Sequence, residues 1–508
     1  MTAEDSAPAV RRTVDVALEA RVRRWSIDGP EADMRLVESV VVQANEPITA
    51  TGSEAPLRSL RVTFGGLLRV AILAGADPAI EQVLRRVVLA SGALLVQALR
   101  ADDPRSFVER AAALRESRPD LVLALVGDRR DADGLVDLVE ALRLGCADRS
   151  PAPRVVVAGE PHSTLRLKAA ASGLAVEILP DPRRGDGVSA FAHRAREFRR
   201  GTAGDVVLRD EALEELARRI AARGQDALVV DVSGGSTSLV RASVDGTITA
   251  AHVASLGCGI AADHTVGRAG LDNVRRWIPW AIDAPTLLER VFNRARWPDA
   301  VASEASSLAL EIALAHEALS HALGDAEAAG IAARFRDVPL TVVTGAAAGF
   351  TRASHTALVA IDGLGSRHPT TLYRDLDDGL VALGALAAGA AAAGGDPSSG
   401  ITAELARRLR PVAFVVPVTP GRRSRLLVNG QEHTADQLVA GAFFSVHRRG
   451  EVEVEVTGDP LKATGSAGEL GVIIDVRGRP LVLPPRDAER IPTLVRGFAA
   501  LDAAGASA

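Results

Sequence analysis

Lysine is nearly missing from this chain: Lys168 and Lys462 are the only two among 59 basic residues in 508. The accompanying richness in arginine and alanine reads as the imprint of a GC-rich coding sequence. Aromatic residues are scarce at 3%, so the cores must be built from Ala, Val and Leu, helices packing on sheets through small side chains. Two cysteines, Cys146 and Cys258, are too few for a disulfide framework and have no metal-type spacing. A strong charge of one sign is also lacking. A net charge of −5 and a pI near 6.1 give no electrostatic case for a nucleic-acid partner, and Arg407-Arg408, Arg422-Arg423 and Arg448-Arg449 read as solvated faces. The most apolar run, 380–394, is Ala, Gly and Leu, too short and too weakly hydrophobic to span a bilayer. Residues 1–10 are acidic and polar, unlike a signal peptide. These absences predict a cytoplasmic protein with neither a membrane nor a nucleic-acid partner.

The chain is too long for one ordinary core, so two to four domains are expected. Hydrophobic residues at 47% and charged residues at 24% are globular values. Residues 14–27 and 36–43 read as short Val-rich strands. From residue 68 the pattern becomes regular, with strands at 68–73, 93–99, 121–126, 154–158 and 176–179 separated by helical stretches. That alternation predicts a doubly wound parallel sheet. A helix over 210–223 then leads to a buried strand at 227–232, a Gly-Gly turn, a strand at 238–244, the hairpin signal Asp245-Gly246, and a third strand at 247–254. Helices come next at 284–292, 305–323 and 377–393, with a strand at 340–343 between the last two. Residues 394–400 read as a linker, and the remainder of the chain is mostly β, closed by a terminal helix. The expected units are 1–67, first-half strands; 68–205, doubly wound; 206–395, a phosphate- and nucleotide-binding half; and 401–508, β-rich.

The most informative stretch is Asp231-Val-Ser-Gly-Gly-Ser-Thr237, set between two strands. A phosphate tail needs close backbone approach, which Gly234 and Gly235 permit by lacking Cβ. Successive amides in such a turn form a concave anion site, and Ser236 and Thr237 can add hydroxyl donors. Asp231, at the strand end, is placed to hold a magnesium ion through water. A tight hairpin turn is the plainer reading of the same residues. A second loop lies about 110 residues on, Thr344-Gly345-Ala346, where small residues after a strand would let an adenine or ribose lie on the backbone.

Together these loops resemble the actin-like ATPase superfold, and within it the glutamate mutase accessory protein (MutL-type) family. The resemblance covers nearly the whole chain beyond about residue 60. Asp231 to Thr237 looks like the family's phosphate loop, and Leu256-Gly257-Cys258-Gly259 like the glycine turn after the hairpin. Arg275-Arg-Trp-Ile-Pro279 and Phe292-Asn-Arg-Ala-Arg-Trp-Pro298 are similar to connecting segments. Thr344-Gly345 resembles the adenosine loop, and 376–387 the helix after it. Gly468 to Asp475, with Gly478-Arg479-Pro480, resembles a C-terminal β extension. The resemblance implies two actin-like (ribonuclease H-like) halves with a Rossmann-like insert, an ATP or ADP site with magnesium, and a chaperone-like, reactivating role toward an adenosylcobalamin-dependent mutase.

The departures point to a divergent member. Val14-Asp15-Val16-Ala17-Leu18 lacks the glycine of a first phosphate loop, Ser233 stands where glycine is commoner, and Val126-Gly127-Asp128-Arg129-Arg130-Asp131 is charged where the family tends to be glycine-rich. With one of two hairpins lost, in-line attack loses half its positioning. The expectation is nucleotide binding with at most weak ATPase activity. Two alternatives are an active ATPase or exopolyphosphatase-like phosphatase, whose loop Ser233 to Thr237 also resembles, and a scaffold without catalysis.

Other motifs carry less. Gly257-Cys-Gly-Ile-Ala-Ala262 lacks the strand–helix–strand setting of a dinucleotide site. His316 and His321 are five apart, so on a helix they point about 140° away from each other and cannot share a metal; they read as surface or capping residues. Cys258 reads as a small buried residue, Trp277, Trp280 and Trp297 as core or interface anchors, and Asp375, Asp377 and Asp378 as helix caps.

Overall fold

The computed structural model describes residues 12–506, apart from 19–20, 29–33, 44–57, 186, 202–205, 299, 301, 303, 393–398, 419–424, 434–442, 458–460 and 480. The linker expected at 394–400 therefore lies largely outside the described residues.

Strands β1 (Arg12–Leu18), β2 (Arg21–Asp28) and β3 (Arg35–Gln43) form an antiparallel meander, and β4 (Arg58–Thr63) runs parallel to β1. An insert comes next: β5 (Arg69–Ala74), α1 (Pro78–Ser91), β6 (Leu94–Arg100), α2 (Phe107–Ser117), β7 (Leu121–Val126), α3 (Asp131–Gly145), β8 (Arg154–Gly159), α4 (Pro161–Ala170), β9 (Val176–Ile178) and α5 (Gly187–Arg200). Its strands are all parallel, in the order β6-β5-β7-β8-β9. The central strand β7 is buried throughout because helices cover both faces. The strand order reverses beside β5, between loops carrying Gly75 and Gly127, where such sheets usually open a ligand crevice. Here Asp131 fills it: its Oδ1 accepts from the Ala76 amide at 2.9 Å, and a Cβ on Gly75 or Gly127 would fall 2.2 or 2.6 Å from its other oxygen.

The chain then returns to the first sheet. Strand β10 (Val206–Leu208) pairs in parallel with β4, completing the order β10-β4-β1-β2-β3. The boundary expected at 206 is thus corrected: the first half is split by the insert and resumes at β10, a strand of three residues and too short to show as a pattern.

The second half runs α6 (Arg209–Ala221), β11 (Ala227–Val232), β12 (Ser236–Ala242), β13 (Ile248–Ala254), α7 (Ala262–Ala269), α8 (Leu271–Arg275), α9 (Ala284–Arg296), α10 (Ala305–Ala328), β14 (Leu340–Thr344), α11 (Ala353–Leu364), β15 (Thr370–Arg374) and α12 (Gly379–Ala392). Its order β13-β12-β11-β14-β15 repeats that of β3-β2-β1-β4-β10, with the same antiparallel and parallel pairings. Each copy ends in a helix, α6 or α12, and the two helices pack together between the sheets. Two ribonuclease H-like halves joined in this way make an actin-like fold.

The tail comprises α13 (Ser399–Arg408), β16 (Pro411–Pro417), β17 (Arg425–Val428), β18 (Gln431–His433), β19 (Phe443–Val446), β20 (Gly450–Thr457), β21 (Leu461–Ala467), β22 (Val472–Asp475) and α14 (Asp487–Ala506). It is β-rich, but it does not stand apart as the expected 401–508 unit. Strands β16, β22 and β19 continue the second-half sheet from β15 to eight strands, covering an edge that would otherwise be open. The other four form a separate sheet, β18-β17-β20-β21.

Strand β11 sets the site by its alternation. Leu228, Val230 and Val232 face a core shared with Leu314 and Leu319 of α10. Ala227 and Val229 face the other way, into a core shared with Leu213 and Leu216 of α6, Leu380 and Leu383 of α12, and Val14, Val16 and Val62 of the first half. By the two-residue period, Asp231 joins the second set and looks into the seam between the halves. Among the described residues, no helix is long and apolar enough to cross a membrane.

Candidate functional site

The Ser233 amide donates to the Ser236 carbonyl at 2.9 Å, closing a tight turn on Gly234 and Gly235. A second glycine loop grips it from behind. The amides of Gly259 and Ala261 both donate to the Gly234 carbonyl at 3.0 Å, and that of Cys258 to Ser233 at 3.1 Å. A Cβ on Gly257 would lie 2.4 Å from the Gly234 oxygen, so this contact requires glycine. Gly257 and Gly259 therefore brace the hairpin from behind. Thr237 is also removed from the ligand-facing set, because it is fully buried and its hydroxyl donates to the Leu256 carbonyl at 2.9 Å. Gly235 and Ser236 remain half-exposed, while Gly234 is buried.

The strand-end loop meets the hairpin directly. Thr344 Oγ1 donates to Asp231 Oδ1 at 2.7 Å, and the Ala347 amide donates to the Val232 carbonyl at 3.1 Å. Gly345 has φ +74° and sits where a Cβ would be 2.7 Å from both Asp231 and the Ser233 hydroxyl. Gly345 and Ala346 stay half-exposed.

The residue that decides the chemistry is Arg209, the first of α6 and 2% exposed. Its Nε donates to Asp231 Oδ2 at 3.1 Å and its terminal nitrogen to Asp231 Oδ1 at 2.7 Å and to Asp378 Oδ1 at 2.9 Å. Its other side faces the Phe64 ring at 5.4 Å. Burial works against its charge, but the Asp231 and Asp378 carboxylates outweigh burial and hold it protonated. Asp375 lies beside this cluster, accepting from the Leu380 and Val381 amides; burial, then the Asp378 charge, pushes its carboxyl up to about 8. Capping thus accounts for Asp375 and Asp377, whereas Asp378 is an ion-pair partner.

Magnesium does not fit at Asp231, which corrects the expected metal role. A carboxylate offers about four lone-pair positions. Here Arg209 takes two, the Ser233 hydroxyl a third at 2.9 Å and Thr344 the fourth, with the residue fully buried. Nothing is left for a metal-bound water, and the positive charge is already in place. Ser233 thus serves to satisfy this carboxylate.

Opposite the hairpin, Phe64-Gly65-Gly66 comes after β4 as Gly345-Ala346 comes after β14. A cavity of about 260 Å³ separates the halves, lined by Phe64, Gly65 and Gly66 on one side and Gly235 and Ser236 on the other, with Arg199 from the insert at its edge. Sequence reading missed both Arg209 and the Phe64 loop. The signal available for the loop was its pair of glycines after a strand. A larger cavity of about 640 Å³, between residues 351–354 and α14, touches none of these glycines.

The insert is fastened to the same seam. Arg196 and Arg199 of α5 pair with Glu214 and Asp210 of α6, and Arg199 also donates to the carbonyls of Ser91 and Phe64 at 2.5 Å. Burial raises the Asp210 and Glu214 carboxyls, but the arginines and His252 overcome it and bring both to about 2. His252 bridges Ser238 at 2.9 Å and Glu214 at 3.2 Å.

Among the remaining motifs, Asp283 caps α9 through the Thr286 amide, and Cys258 is buried. His316 is buried against Trp277, ring centroids 4.2 Å apart, which corrects its reading as a surface or capping residue; Trp297 is 62% exposed and anchors no core.

No protein-family model and no curated protein matches the chain. Among solved structures it is similar to the ethanolamine utilization protein EutJ from Carboxydothermus hydrogenoformans, with 12% identity over 75% of this chain and 90% of that one and a TM-score of 0.27. It is similar to component A of the (R)-2-hydroxyglutaryl-CoA dehydratase of Acidaminococcus fermentans, at 9% identity over 74% and 96%, TM-score 0.27. A chain of the PilM–PilN type IV pilus biogenesis complex matches at 14% identity over 79% and 99%, TM-score 0.25. At these scores the likenesses add nothing to the repeated strand order, on which the fold assignment stands.

Proposed function

We propose that this protein binds the phosphate end of an adenine nucleotide between its two halves, does not hydrolyse it, and acts as an accessory, chaperone-like reactivating protein for an adenosylcobalamin-dependent mutase. The observation that carries the binding reading is the Gly234-Gly235 turn, whose Gly235 and Ser236 face Phe64-Gly65-Gly66 of the first half across a cavity. That cavity, about 260 Å³, is below the roughly 300–1,000 Å³ that encloses a drug-sized ligand. It takes phosphate groups as it stands, and a whole nucleotide requires the halves to part. The hydrolytic alternative is disfavoured because Asp231 has no free oxygen with which to position a metal or a water. The mutase partner comes from the family resemblance and rests on no geometry.

The test is thermal unfolding of the purified protein with ADP or ATP, since a ligand of the native state raises the midpoint. A concentration-dependent rise, abolished by a bulky residue at Gly235, supports the reading. No rise leaves the scaffold alternative. Co-purification with a purified adenosylcobalamin mutase, compared with an unrelated enzyme, tests the partner.

A further inference from the structure

We propose that the outer face of α9 is a self-association surface, on which a second copy of this chain docks with its own α9 antiparallel across a twofold axis. No residue of α9 lines the cavity between the halves, so the inference stands apart from the nucleotide reading.

The inner side of α9 is anchored. Leu287 and Val291 are buried in the second-half core, and Arg294 donates to the Cys258 carbonyl at 3.1 Å and pairs with Glu311 at 3.2 Å. The outer side is a stripe of exposed residues, Leu288, Glu289, Phe292, Asn293 and Arg296, ending at Trp297. In a chain with 3% aromatics, the described residues include three exposed aromatic side chains, Phe107, Phe292 and Trp297, and two of the three stand here. Apolar side chains exposed singly are ordinary, but Leu288, Phe292 and Trp297 are exposed together on one helix. Exposed aromatics of this kind are what the cores of protein interfaces are enriched in.

The charges on the stripe choose the occupant. Glu289 and Arg296 are seven residues apart, so they lie only about 20° apart around the helix and face the same way. Their midpoint falls between Phe292 and Asn293. A twofold axis there sets Glu289 of each copy against Arg296 of the other and brings the two Phe292 rings side by side. It also puts Leu288 of each copy level with Trp297 of the other. One pair of positions is thus used twice with opposite signs, the pattern of an isologous contact. A partner of another sequence would have to supply that complement; this chain already carries it.

The test is sedimentation velocity of the full-length protein over a range of concentrations, without nucleotide. The wild type should show a dimer whose fraction rises with concentration. Phe292→Asp should be monomeric with an unchanged circular dichroism spectrum, because the side chain it replaces is exposed. Glu289→Arg and Arg296→Glu each put like charges opposite one another, twice by symmetry. Each should weaken the dimer by roughly tenfold in dissociation constant. The chain carrying both reversals restores opposite signs and should dimerise like the wild type. A wild type that stays monomeric would leave the face to a partner of other chemistry and overturns the proposal. So does a dimer that Phe292→Asp leaves intact, or a double reversal no tighter than either single one.

Discussion

Val16 and Asp231 hold the same register position in the two copies of one hairpin. Leu18 pairs with Arg21 at the last step before the first turn, and Ser233 bonds Ser236 at the last step before the second. Two residues back from each stand Val16, fully buried in the shared core, and Asp231, ion-paired to Arg209. One half carries an ion-paired carboxylate at this position; the other carries a buried valine.

Hydrolysis should therefore be absent from the wild type. Phosphate release from ATP is expected to match that of Asp231→Ala. Val16→Asp should not create activity, because it buries a carboxylate with no counter-charge, at a cost of about 3–5 kcal/mol measurable by urea unfolding.

Glycine at two close approaches sets how tightly the seam closes. A Cβ on Gly384 of α12 would lie 2.2 Å from the Ala212 carbonyl of α6, and one on Gly257 would lie 2.4 Å from that of Gly234. Both neighbours are backbone and cannot step aside as a side chain can. Gly384→Ala and Gly257→Ala should each destabilise by about 1–3 kcal/mol. The second should also weaken the ADP-induced rise in midpoint, since it displaces the hairpin itself.

Asp375 should give the seam a pH dependence. Its carboxyl is raised from 3.8 to about 8, chiefly by burial and then by the Asp378 charge. Across that window the folded state keeps a proton that the unfolded chain has released. This contribution is therefore complete below the unfolded value and is lost as pH rises toward the folded one. Asp375→Asn removes the titration, so its midpoint relative to the wild type should climb between about pH 4 and pH 8, the limits of the window. A constant difference would show that the carboxyl is not held neutral.

The insert should loosen when its arginines lose their partners. Asp210→Asn and Glu214→Gln each leave a buried guanidinium facing a neutral amide, with an expected loss of about 3–5 kcal/mol. Limited proteolysis should then attack the insert sooner than in the wild type. Because both carboxyls are held at about 2, their contribution is present above the ordinary carboxylate range and is lost as pH falls toward 2.

Much of the fold was legible in local pattern. The buried run of β11, the turn residues after it and the strand–helix alternation of the insert each declare themselves within a few residues. What escaped were short or plain elements, such as β10 with three residues. Helix α11 was also missed; it is buried along most of its length and so shows little of the polar–apolar periodicity on which a helix reading depends. Tail strands β16 and β22 read correctly as β while β19 was missed, and which sheet all three join depends on an edge left free by β15, which no local pattern records.

The sequence by itself determined the two glycine loops, the missing first phosphate loop and the alternation that turns Asp231 toward the seam, because these come from residue type and a two-residue period. Only the tertiary structure decided what Asp231 meets there. Arg209 lies 22 positions away and Asp378 another 169 from Arg209. Their meeting depends on α6 and α12 packing between two sheets, and ion pairing over such separations leaves no mark in the order of residues.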